Sequence, residues 1–191
     1  KDKDIARITL ENESVKRVHV AHYGLGINEN GKGTVFKIKV DVVGSGAGSI
    51  SVDVGEVQFE TVFQDAVRTA ALAASGYTGV SLSDKDIIVT VVNDSDRVIK
   101  VDGPSAGAVL AAMISAGLDE KQLDPSVLVT GTIRSDGTIG RVGGIPGKAD
   151  AAVEFGAEKL AVPKSQTFTD GRIEVEGVSN LKQLAKLMIK N

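Results

Sequence analysis

The chain has no cysteine and no tryptophan. Without thiols it forms no disulfide, thiolate metal site or iron–sulfur cluster and has no cysteine nucleophile, although this leaves the compartment open. Histidine is nearly as scarce: His19 and His22 are the only two, too few for a multi-histidine metal centre. No metal and no cofactor is expected. A basic excess is also missing, since 22 Lys and Arg stand against 25 Asp and Glu for a net charge of −3. Phosphate backbones attract proteins with the opposite balance, so nucleic acid is not an expected partner. Long apolar runs are absent too. The longest uncharged stretch, Gly103 to Leu118, is shorter than the roughly 18 to 20 residues of a membrane span and is rich in Gly, Ala and Ser, so it reads as a buried helix.

What remains is an ordinary globular composition: 191 residues, 42% hydrophobic and 25% charged. That size suits one domain over residues 1–191. The chain opens at Lys1 rather than Met. We therefore expect a processed or excised form, in the cytoplasm or associated with a membrane, whose leader, anchor or partner domain would lie upstream.

Residues alternate in character over Val15–His22, Thr34–Val43 and Ser49–Val54, with glycine-rich breaks at Gly24–Gly33 and Gly44–Gly48. These are expected strands and turns. From Phe59 to Ser75 the spacing becomes helical, with Phe59, Val62, Phe63, Ala66, Val67, Ala70 and Ala74 on one face and Gly76 placed to end it. Ile87–Val92 suits a buried strand, and Asn93–Asp96 a turn leading to Arg97–Val101. Helices are then expected at Pro104–Ala116, Pro146–Phe155 and Asn180–Ile189, the last capped by Ser179. Strands are expected at Val127–Ile133, Leu160–Val162 and Arg172–Val175. Strands first and alternating elements later make an α+β fold.

Gly103-Pro104-Ser105-Ala106-Gly107 joins a permissive turn, a proline suited to a first helical turn and a hydroxyl where strand gives way to helix. Unpaired amides and the positive end of the helix dipole at such a place stabilise an oxyanion, so Ser105 is a candidate nucleophile with Gly103, Pro104, Ala106 and Gly107 shaping the turn or oxyanion site. The string alone also fits a serine that merely caps a core helix, the commoner case. Both histidines precede Ser105, against the Ser, acid, His order of α/β-hydrolases. A triad in the order His, Asp, Ser with His19 or His22 stays formally open, although strand alternation puts the two histidines on opposite faces and each reads better as a surface or packing residue.

Without a usable histidine a serine nucleophile needs another base, and lysine serves when burial or positive potential destabilises its ammonium. Lys148 follows Gly143-Gly144-Ile145-Pro146-Gly147 in the first turn of an apolar helix, where the dipole disfavours a cation. Taken alone it also reads as an ordinary solvated lysine. A phosphate loop fails here because Val142 and Ala149 stand where glycine and Ser or Thr are needed. Gly44–Gly48 likewise lacks the last glycine of a dinucleotide fingerprint.

The ordered set Asp102 to Gly107, Val129-Thr130-Gly131, Gly140-Arg141-Val142, Gly143-Gly144-Ile145 and Lys148 resembles the proteolytic domain of Lon proteases. The likeness extends upstream to Gly24-Leu25-Gly26 and Gly55-Glu56-Val57 before Glu60, and downstream to Ala151-Ala152 and Val162-Pro163-Lys164. The resemblance implies a peptidase core of the family's own α+β fold, with Ser105 as nucleophile and Lys148 as base. It implies that Thr130 orients the lysine and that Asp102 has a supporting or gating role. It also implies polypeptide substrates bound as extended strands, a homo-oligomer, commonly a hexameric ring, and an ATPase or membrane anchor outside this chain. Thr132 stands where bacterial relatives carry Glu, their paired histidines are replaced within Ile87–Val91, and Pro146-Gly147 replaces a polar pair. Two activities are expected to compete: a serine endopeptidase acting on unfolded polypeptide, and a catalytically silent scaffold for oligomerisation or peptide binding.

Overall fold

The computed structural model describes residues 15–28, 30–53, 61–92 and 103–190. Asp102, Glu60, the Gly55-Glu56-Val57 motif, Phe59 and the segment from Asn93 to Val101 lie outside the described residues.

The fold is α+β. Two long strands, β1 (Arg17–Ile27) and β2 (Gly33–Gly44), form a hairpin. The sheet continues through β4 (Lys85–Val92) to β3 (Ile50–Asp53), in the order β1-β2-β4-β3, with β4 antiparallel to β2 and parallel to β3. Alternate residues of this sheet, among them Val20, Ile38, Val40, Ile87 and Val89, are buried on one face. Helices α1 (Thr61–Thr78) and α2 (Gly107–Leu118) supply the rest of that core. Every residue of α2 from Gly107 to Gly117 is buried, as its lack of charge requires.

A second, parallel sheet has the order β10-β9-β6, from β6 (Val127–Val129), β9 (Lys159–Pro163) and β10 (Glu174–Val178). Helix α3 (Ile145–Phe155) buries Ala149, Ala151 and Ala152 in a cluster with Leu25, Leu128, Leu160 and Val162. Helix α4 (Leu181–Met188) turns Leu181, Leu184, Ala185 and Met188 inward at helical spacing. Two small antiparallel pairs complete the described elements: β5 (Gln122–Leu123) with β11 (Ile189–Lys190), and β7 (Thr132–Ile133) with β8 (Ile139–Gly140).

Several expectations change. β1 runs through Gly24 to Ile27 instead of breaking there, because its ladder with β2 continues to the Ile27–Gly33 pair, and a Cβ on Gly24 would stand 2.4 Å from the Phe36 ring. That glycine makes room for an aromatic side chain across the hairpin and does not turn the chain. Helix α1 passes Gly76 and ends near Gly79, whose φ is +74° and whose N–H reaches the Ser75 carbonyl at 2.8 Å. The cap of α4 is Asn180 and not Ser179: the Asn180 side chain accepts the Gln183 N–H at 3.0 Å. Gln183 in turn accepts the Ser179 N–H at 2.8 Å, so the reciprocal pattern of a capping box is shifted by one residue.

Candidate active site

The strand expected over Val127–Ile133 is interrupted at Thr130-Gly131, and the interruption builds the site. Up to Val129 the chain pairs with β9, and the Thr130 N–H still reaches the Ala161 carbonyl of β9 at 3.1 Å. At Gly131 the partner changes. Its N–H donates to the Ser105 carbonyl at 3.1 Å, and its carbonyl accepts the Ala108 N–H at 2.9 Å. The backbone of Thr130-Gly131 therefore bridges the second sheet and the start of α2.

Ser105 lies in a 3₁₀ turn, Gly103–Ala106, that runs into α2, and it is buried along with Gly103 and Ala106. Pro104 is exposed. The N-cap residue of α2 is Ala106, so Ser105 sits one position further out than a helix cap. The two glycines of the string act through space rather than conformation, since neither has a positive φ. A Cβ on Gly103 would stand 2.8 Å from the Phe63 nitrogen of α1, and one on Gly107 2.9 Å from the Ile133 nitrogen of β7. The turn is thus wedged between backbones on both sides. The amide of Ala108 is already committed to Gly131, which leaves an oxyanion role to amides earlier in the turn.

Lys148 approaches the same place from α3. Gly144, the N-cap, has φ +67°, and its carbonyl receives the Lys148 N–H at 3.0 Å. The first turn contains Pro146 and no acidic residue. Gly147 and Gly33 let the helix start lie against the β1–β2 connection: a Cβ on Gly33 would stand 1.8 Å from the Gly147 oxygen. The Lys148 side chain is 1% exposed, and its Nζ donates to Thr130 Oγ1 at 3.2 Å. Thr130 is itself fully buried. No buried side-chain nitrogen or oxygen among the described residues lacks a hydrogen-bond partner. Ser105, Thr130 and Lys148 are therefore brought together, all buried, whereas Asp102 lies outside the described residues.

The histidines are elsewhere. His19 faces solvent and pairs with Asp41 across the hairpin. His22 is buried: its Nδ1 accepts the Tyr23 N–H at 2.7 Å, and its Nε2 lies 3.1 Å from the Asp124 carbonyl. Both nitrogens are occupied, and burial lowers its pKa below the ordinary value. Thr132 lies over Gly140, whose added Cβ would meet Thr132 Oγ1 at 2.5 Å. No group of three or more His, Cys, Asp or Glu able to hold a metal occurs among the described residues. None of the described helices is long and apolar enough to cross a membrane.

An α+β domain that buries a serine turn and a lysine around one threonine has the parts of a serine-type hydrolase. The family model of the Lon protease (S16) C-terminal proteolytic domain matches residues 6–179, and the chain belongs to that family. An archaeal Lon protease from Archaeoglobus fulgidus is 25% identical over 99% of this chain and 30% of its own length. One from Methanothermobacter thermautotrophicus is 33% identical over 54% of the chain and 16% of its own length. Lon protease 2 of Bacillus subtilis is 28% identical over 73% of the chain and 27% of its own length. The chain thus spans less than a third of the length of these curated relatives. The kinship supports a serine-type protease function.

Proposed function

We propose that this domain is a serine endopeptidase with a Ser105–Lys148 dyad, acting on unfolded or flexible polypeptide. The observation that carries the reading is the burial of Lys148, with its amine on Thr130 and the neighbouring Gly131 amide on the carbonyl of Ser105. A lysine stripped of water and placed at a helix start favours the neutral amine, which is the form able to take a proton.

In this mechanism neutral Lys148 accepts the Ser105 hydroxyl proton as Oγ attacks the substrate carbonyl carbon. Amides of the 3₁₀ turn stabilise the resulting oxyanion. The lysine returns the proton to the leaving amine as the C–N bond breaks, and water repeats the cycle on the acyl-enzyme. Thr130 holds the amine in place throughout. Hydrolysis itself requires no cofactor. From the kinship we also propose extended-strand substrates, a single domain and a ring of identical copies, whose size sedimentation velocity would reveal.

Ser105→Ala is expected to abolish cleavage of a disordered protein while circular dichroism stays unchanged, since losing a nucleophile costs several orders of magnitude in rate. A sulfonyl fluoride or phosphonate probe should label wild type and neither Ser105→Ala nor Lys148→Ala. Absence of labelling in the folded wild-type assembly between about pH 7 and 10, the range that exposes a lysine base, would return the domain to the scaffold role.

A further inference from the structure

Gln166 grips the backbone of Val142 with both ends of its amide. The Val142 N–H donates to Oε1 at 2.9 Å, and Nε2 donates to the Val142 carbonyl at 2.8 Å. Such a pair reproduces what a neighbouring strand would offer, and it needs a side chain with a donor and an acceptor on one rigid plane.

The location gives the clasp its consequence. Gln166 ends a 3₁₀ turn, Lys164–Gln166, that directly follows β9. β9 is the strand whose Ala161 carbonyl holds the Thr130 amide. Val142 stands just ahead of Gly144, the N-cap whose carbonyl receives the Lys148 amide. Threonine and lysine are therefore both registered from β9, one through its backbone and the other through Gln166. A cavity of about 510 Å³ opens beside the clasp, lined by Gln166 with Arg141, Ile145, Pro146, Ala149 and Phe168. At Gly143, between clasp and helix, an added Cβ would meet nothing within 4 Å.

We infer that Gln166 is a positioning residue for the base: by holding Val142 it sets the entry of α3, and with it the reach of the Lys148 amine toward Thr130 and Ser105. The inference rests on the Ser–Lys reading above.

The test compares Gln166→Ala, Gln166→Glu, Ser105→Ala and wild type as the assembled full chain on a disordered substrate. Gln166→Ala is expected to lower kcat about tenfold or more with KM within about twofold, because small misplacements of a catalytic group carry such costs. The acid limb of its kcat/KM profile should move to higher pH as the loosened lysine regains water. In Gln166→Glu the carboxylate accepts from the Val142 N–H but opposes its carbonyl, while the protonated acid restores both bonds. The kcat of Gln166→Glu relative to wild type should accordingly rise as pH falls from about 8 to about 5.5, approaching the carboxyl range. That ratio decides the matter even if the alanine variant fails to fold. A lower Tm with kcat and the acid limb unmoved, or a ratio flat with pH, overturns the inference. If Ser105→Ala keeps its turnover, the Ser–Lys reading fails instead, which separates the two outcomes.

Discussion

A lysine ammonium is among the most strongly hydrated side-chain groups, and Lys148 is 1% exposed. Its amine donates to Thr130 Oγ1 at 3.2 Å, and burial of the group favours its neutral form over the ammonium. Lys148→Arg, whose guanidinium stays charged, is expected to retain less than about a tenth of wild-type turnover. Thr130→Val keeps the shape, removes the acceptor, and should give a milder loss in kcat. Steady-state cleavage of a disordered protein by variants of native circular dichroism checks both, and near-normal turnover in Lys148→Arg would remove the lysine from the base role. Residue type and local context marked Ser105 and Lys148 only as candidates, a hydroxyl and an amine each at a helix start after a glycine-rich turn, since each alone also fitted a commoner role, and the family likeness joined them. Thr130 was legible only through the family likeness. Its sequence neighbourhood reads as a continuous strand, and the change of hydrogen-bond partner at Gly131 is a tertiary event. Gln166 gave no signal, because a clasp on a distant backbone leaves no local pattern.

Among elements, the helix faces were clear from periodicity and the ends were not. α1 continues past Gly76 because that residue meets open space, and helix propensity alone costs it only about 1 kcal/mol. The strands β5, β8 and β11 are two residues each, defined by what they pair with and too short for any alternation to appear. The contact between α3 and the β1–β2 connection is the least forgiving junction. Gly33→Ala would force a Cβ into the space of the Gly147 oxygen, 1.8 Å away, and neither partner is a side chain able to swing aside. We expect a loss of roughly 1 to 3 kcal/mol, seen as a Tm lowered by about 2–4 °C for each kcal/mol, with reduced turnover as the start of α3 shifts. Gly143→Ala, in open space with an ordinary φ, serves as control and should leave Tm nearly unchanged. Equal effects of the two substitutions in a thermal melt would argue against the junction.

At the scale of the whole molecule, His22 and the described carboxylates with lowered pKa values respond to acid in different pH ranges. The folded His22 has its pKa lowered, first by burial, so below about pH 6.5 the unfolded chain takes up a proton that the folded chain refuses. Stability is unaffected by this group above that pH and falls with acidification below it, by at most about 1.4 kcal/mol per pH unit. The lowered carboxylates, among them Asp170 at about 2 beside Arg172 and Asp124 bonded to Ser126, act only at lower pH. Their contribution is present above the ordinary carboxylate range and is lost as pH falls through their folded values. His22→Gln should flatten the urea midpoint between about pH 6.5 and 5. A wild-type midpoint already flat there would show that His22 does not couple folding to acid.

The uncharged helix α2 has a consequence for how the protein is made. Isolated in water it has no polar face to present and no charge to keep it apart from its neighbours. On the ribosome β1, β2, β3, α1 and β4 emerge before it, and among these α1, β1 and β2 are the elements that pack directly against it. The order of synthesis therefore provides a waiting surface before this uncharged helix arrives. The Ser105 turn at its head is delivered onto that surface with it, and Lys148 comes later still, so the proposed dyad comes together only after this uncharged helix is covered.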